Sequence, residues 1–75
     1  MIVIVEINQP NRVPIIIEMS AGTIARDVSD TICYAANNDL PFALLETASG
    51  TLIIGRMALQ NATILIRTRH QPQED

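Results

Sequence analysis

A thiol and an imidazole are the usual pair for nucleophilic catalysis, and this chain holds one of each, Cys33 and His70. The pair works only when the base sits within hydrogen-bond reach of the sulfur. Cys33 falls inside a helical pattern, one position past its apolar stripe, and His70 falls in a polar tail, so Cys33 reads as a small residue packed at the edge of the core. A metal centre needs several His, Cys or carboxylate groups converging on one point. Asp27 and Asp30 are a single acidic pair at helical spacing and Asp39 lies in a loop, which describes a solvated helix face, and no metal site is expected. The stretch "SGTLIIG" lacks the lysine and the spacing of a phosphate-cradling loop. Neither a cofactor nor a small-molecule substrate is expected. Arg12, Arg67 and Arg69 would grip an acidic partner if they gathered at one end of a sheet, because guanidinium pairs bidentately with carboxylates. With aromatic residues limited to Tyr34 and Phe42 they do not describe a nucleic-acid groove.

The elements that must position these groups belong to one small domain. Seventy-five residues give a fold worth about 4–11 kcal/mol at a typical 0.05–0.15 kcal/mol per residue. The chain is 48% hydrophobic but only 3% aromatic, so the core is built from aliphatic side chains, with Phe42 expected as its one large aromatic anchor. The formal charge is −3 with no lysine at all, which disfavours polyanions and anionic membranes as partners. "MIVIVEI" has no basic flank and too few apolar residues for a signal peptide or a membrane span. A lone cysteine makes no disulfide framework, and a cytoplasmic location is expected.

Two β-branched apolar runs, Ile2 to Ile7 and Val13 to Met19, are joined by the turn residues "NQPN" and predict a β-hairpin, with Pro14 marking the second run as an edge. "SAGT" then breaks the chain, and Thr23 is the expected N-cap of a helix whose stripe runs through Ile24, Val28 and Ile32 to Ala35 and Ala36. "NND" before Leu40–Pro41 ends it, with asparagine suited to a left-handed cap. Two short runs follow, Phe42 to Leu45 and Thr51 to Ile54, then a loop containing Gly55 and Asn61, then a last strand from Thr63 to Thr68. Residues 1–69 form the domain and 70–75 the polar tail.

In this order the chain resembles the ubiquitin-like β-grasp family. The residues that carry the resemblance are Val3, Val5 and Ile7 opposed to Val13, Ile15 and Ile17, the "GTI" helix entry, and the closing "ATILIRTR". The resemblance implies an α+β fold: a mixed four- to five-stranded sheet with one helix packed on one face. It also implies a non-conjugating member, because the carriers of the family end in Gly-Gly and the only glycines here are Gly22, Gly50 and Gly55. Within the family the chain is similar to small free-standing bacterial members, such as accessory proteins of type VII secretion or small subunits of multicomponent oxygenases.

Residues two apart on a strand share a face. If Val3, Val5, Ile7, Val13, Ile15, Ile17, Ile64 and Ile66 meet the helix, then Ile2, Ile4, Ile16 and Leu65 point the other way, rimmed by Arg12, Arg67 and Arg69 together with Glu6 and Glu18. An apolar patch with a charged rim marks an interaction surface. The function expected is a non-catalytic protein–protein interaction module, heteromeric or self-associating, binding through this outer face. The alternative is a small regulatory or structural subunit of a larger enzyme or secretion complex.

Overall fold

The computed structural model describes residues 1–70; the tail expected over 70–75 therefore lies, apart from His70, outside the described residues. The chain runs β1 (Ile2–Asn8), β2 (Ile15–Glu18), α1 (Ala25–Asn37), β3 (Phe42–Thr47), β4 (Gly50–Gly55), α2 (Arg56–Asn61) and β5 (Thr63–Arg69). It is a small α+β fold with one main helix.

The five strands form two sheets, one ordered β2-β1-β5 and the other the β3-β4 hairpin. Where the sequence predicts a single mixed sheet, each of the three ladders is antiparallel, including that between β1 and β5, which sets Ile2 opposite Arg69 and Asn8 opposite Thr63. The central strand β1 thus has an antiparallel neighbour on each side. The sheets are stitched where β2 ends: Met19 bridges Thr47, the Ala48 N–H donates to the Glu18 carbonyl at 3.0 Å, and the Ser20 hydroxyl donates to the Thr47 carbonyl at 2.9 Å.

One hydrophobic core serves both sheets. Val3, Val5 and Ile7 from β1 meet Val28, Ile32 and Ala35 from α1, Ala43 and Leu45 from β3, Ile54 from β4, and Met19. Ile17, Ile64 and Ile66 pack against it half-buried, as the face count predicts. Val13 does not: β2 begins only at Ile15, and Val13, just before Pro14, is 86% exposed. Ile15 and Ala36 are also exposed. Phe42 is not the core anchor; it lies on the far side of β3 from Ala43 and Leu45 and is 47% exposed. The core is closed by aliphatic side chains instead, Met19, Leu45 and Ile54 among them.

The helix ends also differ from expectation. The N-cap is Ile24, 60% exposed and without a side-chain hydrogen bond to the first turn, while Thr23 closes a turn on the Ser20 carbonyl. That turn needs Gly22, whose φ of +84° is the left-handed region that glycine enters freely. At the other end the left-handed residue is Asp39, φ +52°, rather than an asparagine. The Asp39 N–H donates to the Ala36 carbonyl and the Leu40 N–H to the Ala35 carbonyl, and these paired bonds satisfy the last carbonyls of the helix. Asp39 also receives α2, through an Arg56 Nε–Oδ1 ion pair at 3.6 Å and a hydrogen bond from Gln60 at 3.2 Å. Residues 56–61, expected as loop, thus form a short helix docked on the end of the long one.

Candidate interaction surfaces

The outer face of β2-β1-β5 carries the residues predicted for it except Arg12. Register places Ile4 between Glu18 and Arg67, and Glu6 between Ile16 and Leu65, with Ile2 opposite Arg69. Ile2, Ile4, Ile16 and Leu65 do share the face turned away from the core, but not as one continuous patch. Glu6 stands between Ile16 and Leu65, held by an ion pair to Arg67 Nη2 at 3.3 Å and a hydrogen bond from Asn8 at 2.8 Å. Ile4 is only 7% exposed although it faces outward. The aliphatic stems of flanking long side chains cover apolar neighbours while their heads stay in water, and Ile4 has Arg67 and Glu18 on its two sides. Ile16 and Leu65 remain exposed, one on each flank of the carboxylate.

The three arginines do not gather at one end. Arg67 and Arg69 lie beside Ile4 and Ile2, whereas Arg12 sits in the β1–β2 turn beyond Asn8. At about 3.3 Å per strand residue the two ends are roughly 20 Å apart. The antiparallel course of β5 is the cause: a parallel β5 would bring its C-terminal arginines to the turn that holds Arg12. Cys33 is exposed on α1 rather than packed at the core edge. Of the methionines, Met19 is core, and Met1 and Met57 are exposed.

A second apolar surface was not anticipated from the sequence. On β3 the side chains alternate, Ala43 and Leu45 inward, Phe42 and Leu44 outward. Leu44 pairs with Ile53 of β4, also outward and exposed. Between this hairpin and α1 lies a depression of about 540 Å³ whose walls include Tyr34, Leu40, Phe42 and Leu44. A smaller one of about 170 Å³ adjoins it, sharing Thr31 and Leu44 and edged by Asp27 and Glu46. Asp30 borders the larger depression. The combined trough is apolar toward Tyr34 and Phe42 and acidic toward Asp27 and Glu46, and no basic residue lines it. The signal for it in the sequence is "FALL", a run apolar on both faces of a strand.

Among the described residues no group of three or more His, Cys, Asp or Glu side chains is placed to hold a metal ion. No helix among them is long and apolar enough to cross a membrane. The chain matches no family model, and neither the curated proteins nor the solved structures compared with it give a match.

Proposed function

We propose that this chain is a non-catalytic protein-interaction module whose principal docking surface is the trough between α1 and the β3-β4 hairpin. The observation that carries the reading is the grouping of Tyr34, Phe42 and Leu44, large apolar side chains left exposed around one depression and continued over the hairpin by Ile53. Contiguous exposed apolar surface of this kind, rimmed by charge, is characteristic of association sites. The acidic rim selects a partner segment that pairs an aromatic or aliphatic anchor with lysine or arginine. The outer face of β2-β1-β5 supplies a second, weaker contact through Ile2, Ile4, Ile16 and Leu65, with Arg67 and Arg69 as polar anchors and Arg12 outside the patch.

Peptide display against the folded chain tests this. Enriched peptides should join an apolar anchor to basic residues, lose binding to Leu44→Asp and keep it with Leu65→Asp. Failure to enrich any sequence, or peptides indifferent to Leu44→Asp, would refute the trough as the docking surface.

A role as a regulatory or structural subunit of a larger enzyme or secretion assembly is the second reading. Its support is that apolar side chains are exposed both at the trough and on the sheet face turned away from the core, as in a chain wedged between neighbours. A ubiquitin-like β-grasp is the fold family proposed with both readings. The strand-strand-helix opening and the central position of β1 support it, and the antiparallel β1–β5 ladder departs from the mixed sheet that the resemblance implies.

A further inference from the structure

The edge of a sheet is a row of unpaired backbone donors and acceptors, and proteins guard such rows with charge, proline, brevity, bulges or cover. Two of the edges here carry guards. β2 has four residues, follows Pro14, and ends in the junction with Thr47. β4 is bounded by Gly50 and Gly55 and runs directly into α2. β5 has charge alone: Arg67 and Arg69 stand toward its C-terminal end, while its seven residues, four of them β-branched, include neither proline nor glycine and lie last in the order β2-β1-β5. Among the described residues no strand lies beyond it.

Which of its backbone groups face outward follows from one hydrogen bond. The Met19 N–H donates to the Val3 carbonyl at 2.9 Å, so Val3, and by antiparallel alternation Val5 and Ile7, bond toward β2. Ile2, Ile4, Glu6 and Asn8 must then bond toward β5, where register gives them Arg69, Arg67, Leu65 and Thr63. The residues left with N–H and C=O pointing away from the molecule are Ile64, Ile66 and Thr68.

We propose that this edge pairs with the same edge of a second copy of the chain, antiparallel, about a twofold axis at Ile66. In that register Ile64 meets the partner's Thr68, Ile66 meets the partner's Ile66, and about six backbone hydrogen bonds form. On the outer face each Leu65 stands opposite the partner's Arg67 and each Thr63 opposite the partner's Arg69, so no like charges face one another. Sliding the axis to Arg67 keeps the hydrogen-bond phase but stacks arginine on arginine. Sliding it to Leu65 pushes Thr68 past the strand, against Ala62. The strand's own charge pattern thus selects the axis at Ile66, and a closed, two-fold contact ends the assembly at two copies. This contact uses the edge, not the trough, and stands whether or not the trough is occupied.

Sedimentation equilibrium of the full chain from micromolar to millimolar concentration should show a monomer–dimer equilibrium. Thr68→Pro removes an outward N–H and leaves the ladder to β1 whole, so it should raise the dimer dissociation constant at least tenfold with unchanged far-UV circular dichroism. Thr63→Glu sets a carboxylate against the partner's Arg69 and should tighten the dimer several-fold, less so in high salt. Leu44→Asp should leave it unchanged, which separates this contact from the trough. A chain that stays monomeric at millimolar concentration overturns the proposal, as does a dimer indifferent to a folded Thr68→Pro. If Thr68→Pro does not fold, hydrogen exchange of the wild type decides. Protection of the Ile64, Ile66 and Thr68 amides must rise with concentration, and protection independent of concentration overturns the pairing.

Discussion

Replacing Phe42 and Leu45 by alanine, one at a time, separates two accounts of how the core is filled. The residues are three apart on β3 and face opposite ways, Leu45 5% exposed within the core and Phe42 47% exposed outside it. Truncating a buried leucine costs about 2–5 kcal/mol, transfer and cavity terms together. Complete burial of a phenylalanine is worth about 1.5–3 kcal/mol, so a ring left half in water gives up about 1 kcal/mol when removed, with no cavity behind it. Against a whole-domain stability of about 4–11 kcal/mol, Leu45→Ala should remove a large share of the stability, whereas Phe42→Ala should be readily tolerated. Urea titrations followed by far-UV circular dichroism measure both, and equal slopes would show that midpoint differences report stability alone. Phe42→Ala as costly as Leu45→Ala would refute this core and restore Phe42 as its anchor.

Two further substitutions probe the ends of α1. Ile24 sits at the N-cap with extended backbone and no capping side chain, so Ile24→Asp should raise stability by about 0.5–2 kcal/mol; a lower melting temperature would show that the exposed isoleucine is held by contacts of its own. Asp39 has left-handed backbone and receives Arg56 and Gln60. Alanine and glycine both lose those contacts, but only alanine keeps a Cβ in that conformation, so Asp39→Ala should be less stable than Asp39→Gly by about 1–2 kcal/mol, and equal melting temperatures would count against the assigned turn.

Much of the architecture was legible although the long strands are apolar on both faces, because Glu6 interrupts β1 and marks its outer side. Val3, Val5 and Ile7 then fall on the core side by period two, and Val28, Ile32 and Ala35 follow from helical spacing. What pattern could not supply was direction. Nothing in "TILIRTR" says whether it runs with or against β1, and that unknown alone moved Arg67 and Arg69 to the opposite end of the sheet from Arg12. Short apolar runs were the other blind spot: "FALL" is hydrophobic on both sides, so a single aromatic residue there was drawn into the core by its size, when the inward positions belonged to its neighbours. Residues 56–61 carry too short a run for a periodic signal between Gly55 and Asn61. Their helix is held by contacts distant in sequence, Ala58 and Leu59 against the core and Arg56 and Gln60 on Asp39. The four outward aliphatics of the long strands were legible from face counting, but neither the absence of Arg12 from their rim nor the break at Glu6 was, because the placement of Glu6 between Ile16 and Leu65 depends on strand register.

The pairing of Ile2 with Arg69 makes the described chain nearly a closed ring, with backbone positions at its two extremes about 5 Å apart. Such a ring can be cut elsewhere: a short peptide joining those extremes, with new ends opened at Ala48–Ser49 in the tight β3–β4 turn, would keep every ladder. The same pairing sets an order on synthesis. Of the elements described, β1 is made before the others yet has only β2 beside it until the segment from Thr63 to Arg69 follows, so its second edge waits for the last of them. Loop closure over that span is the most expensive step in building the sheet. A permuted chain that begins at Ser49 would place β5 and β1 next to each other in sequence and should fold faster at little change in stability.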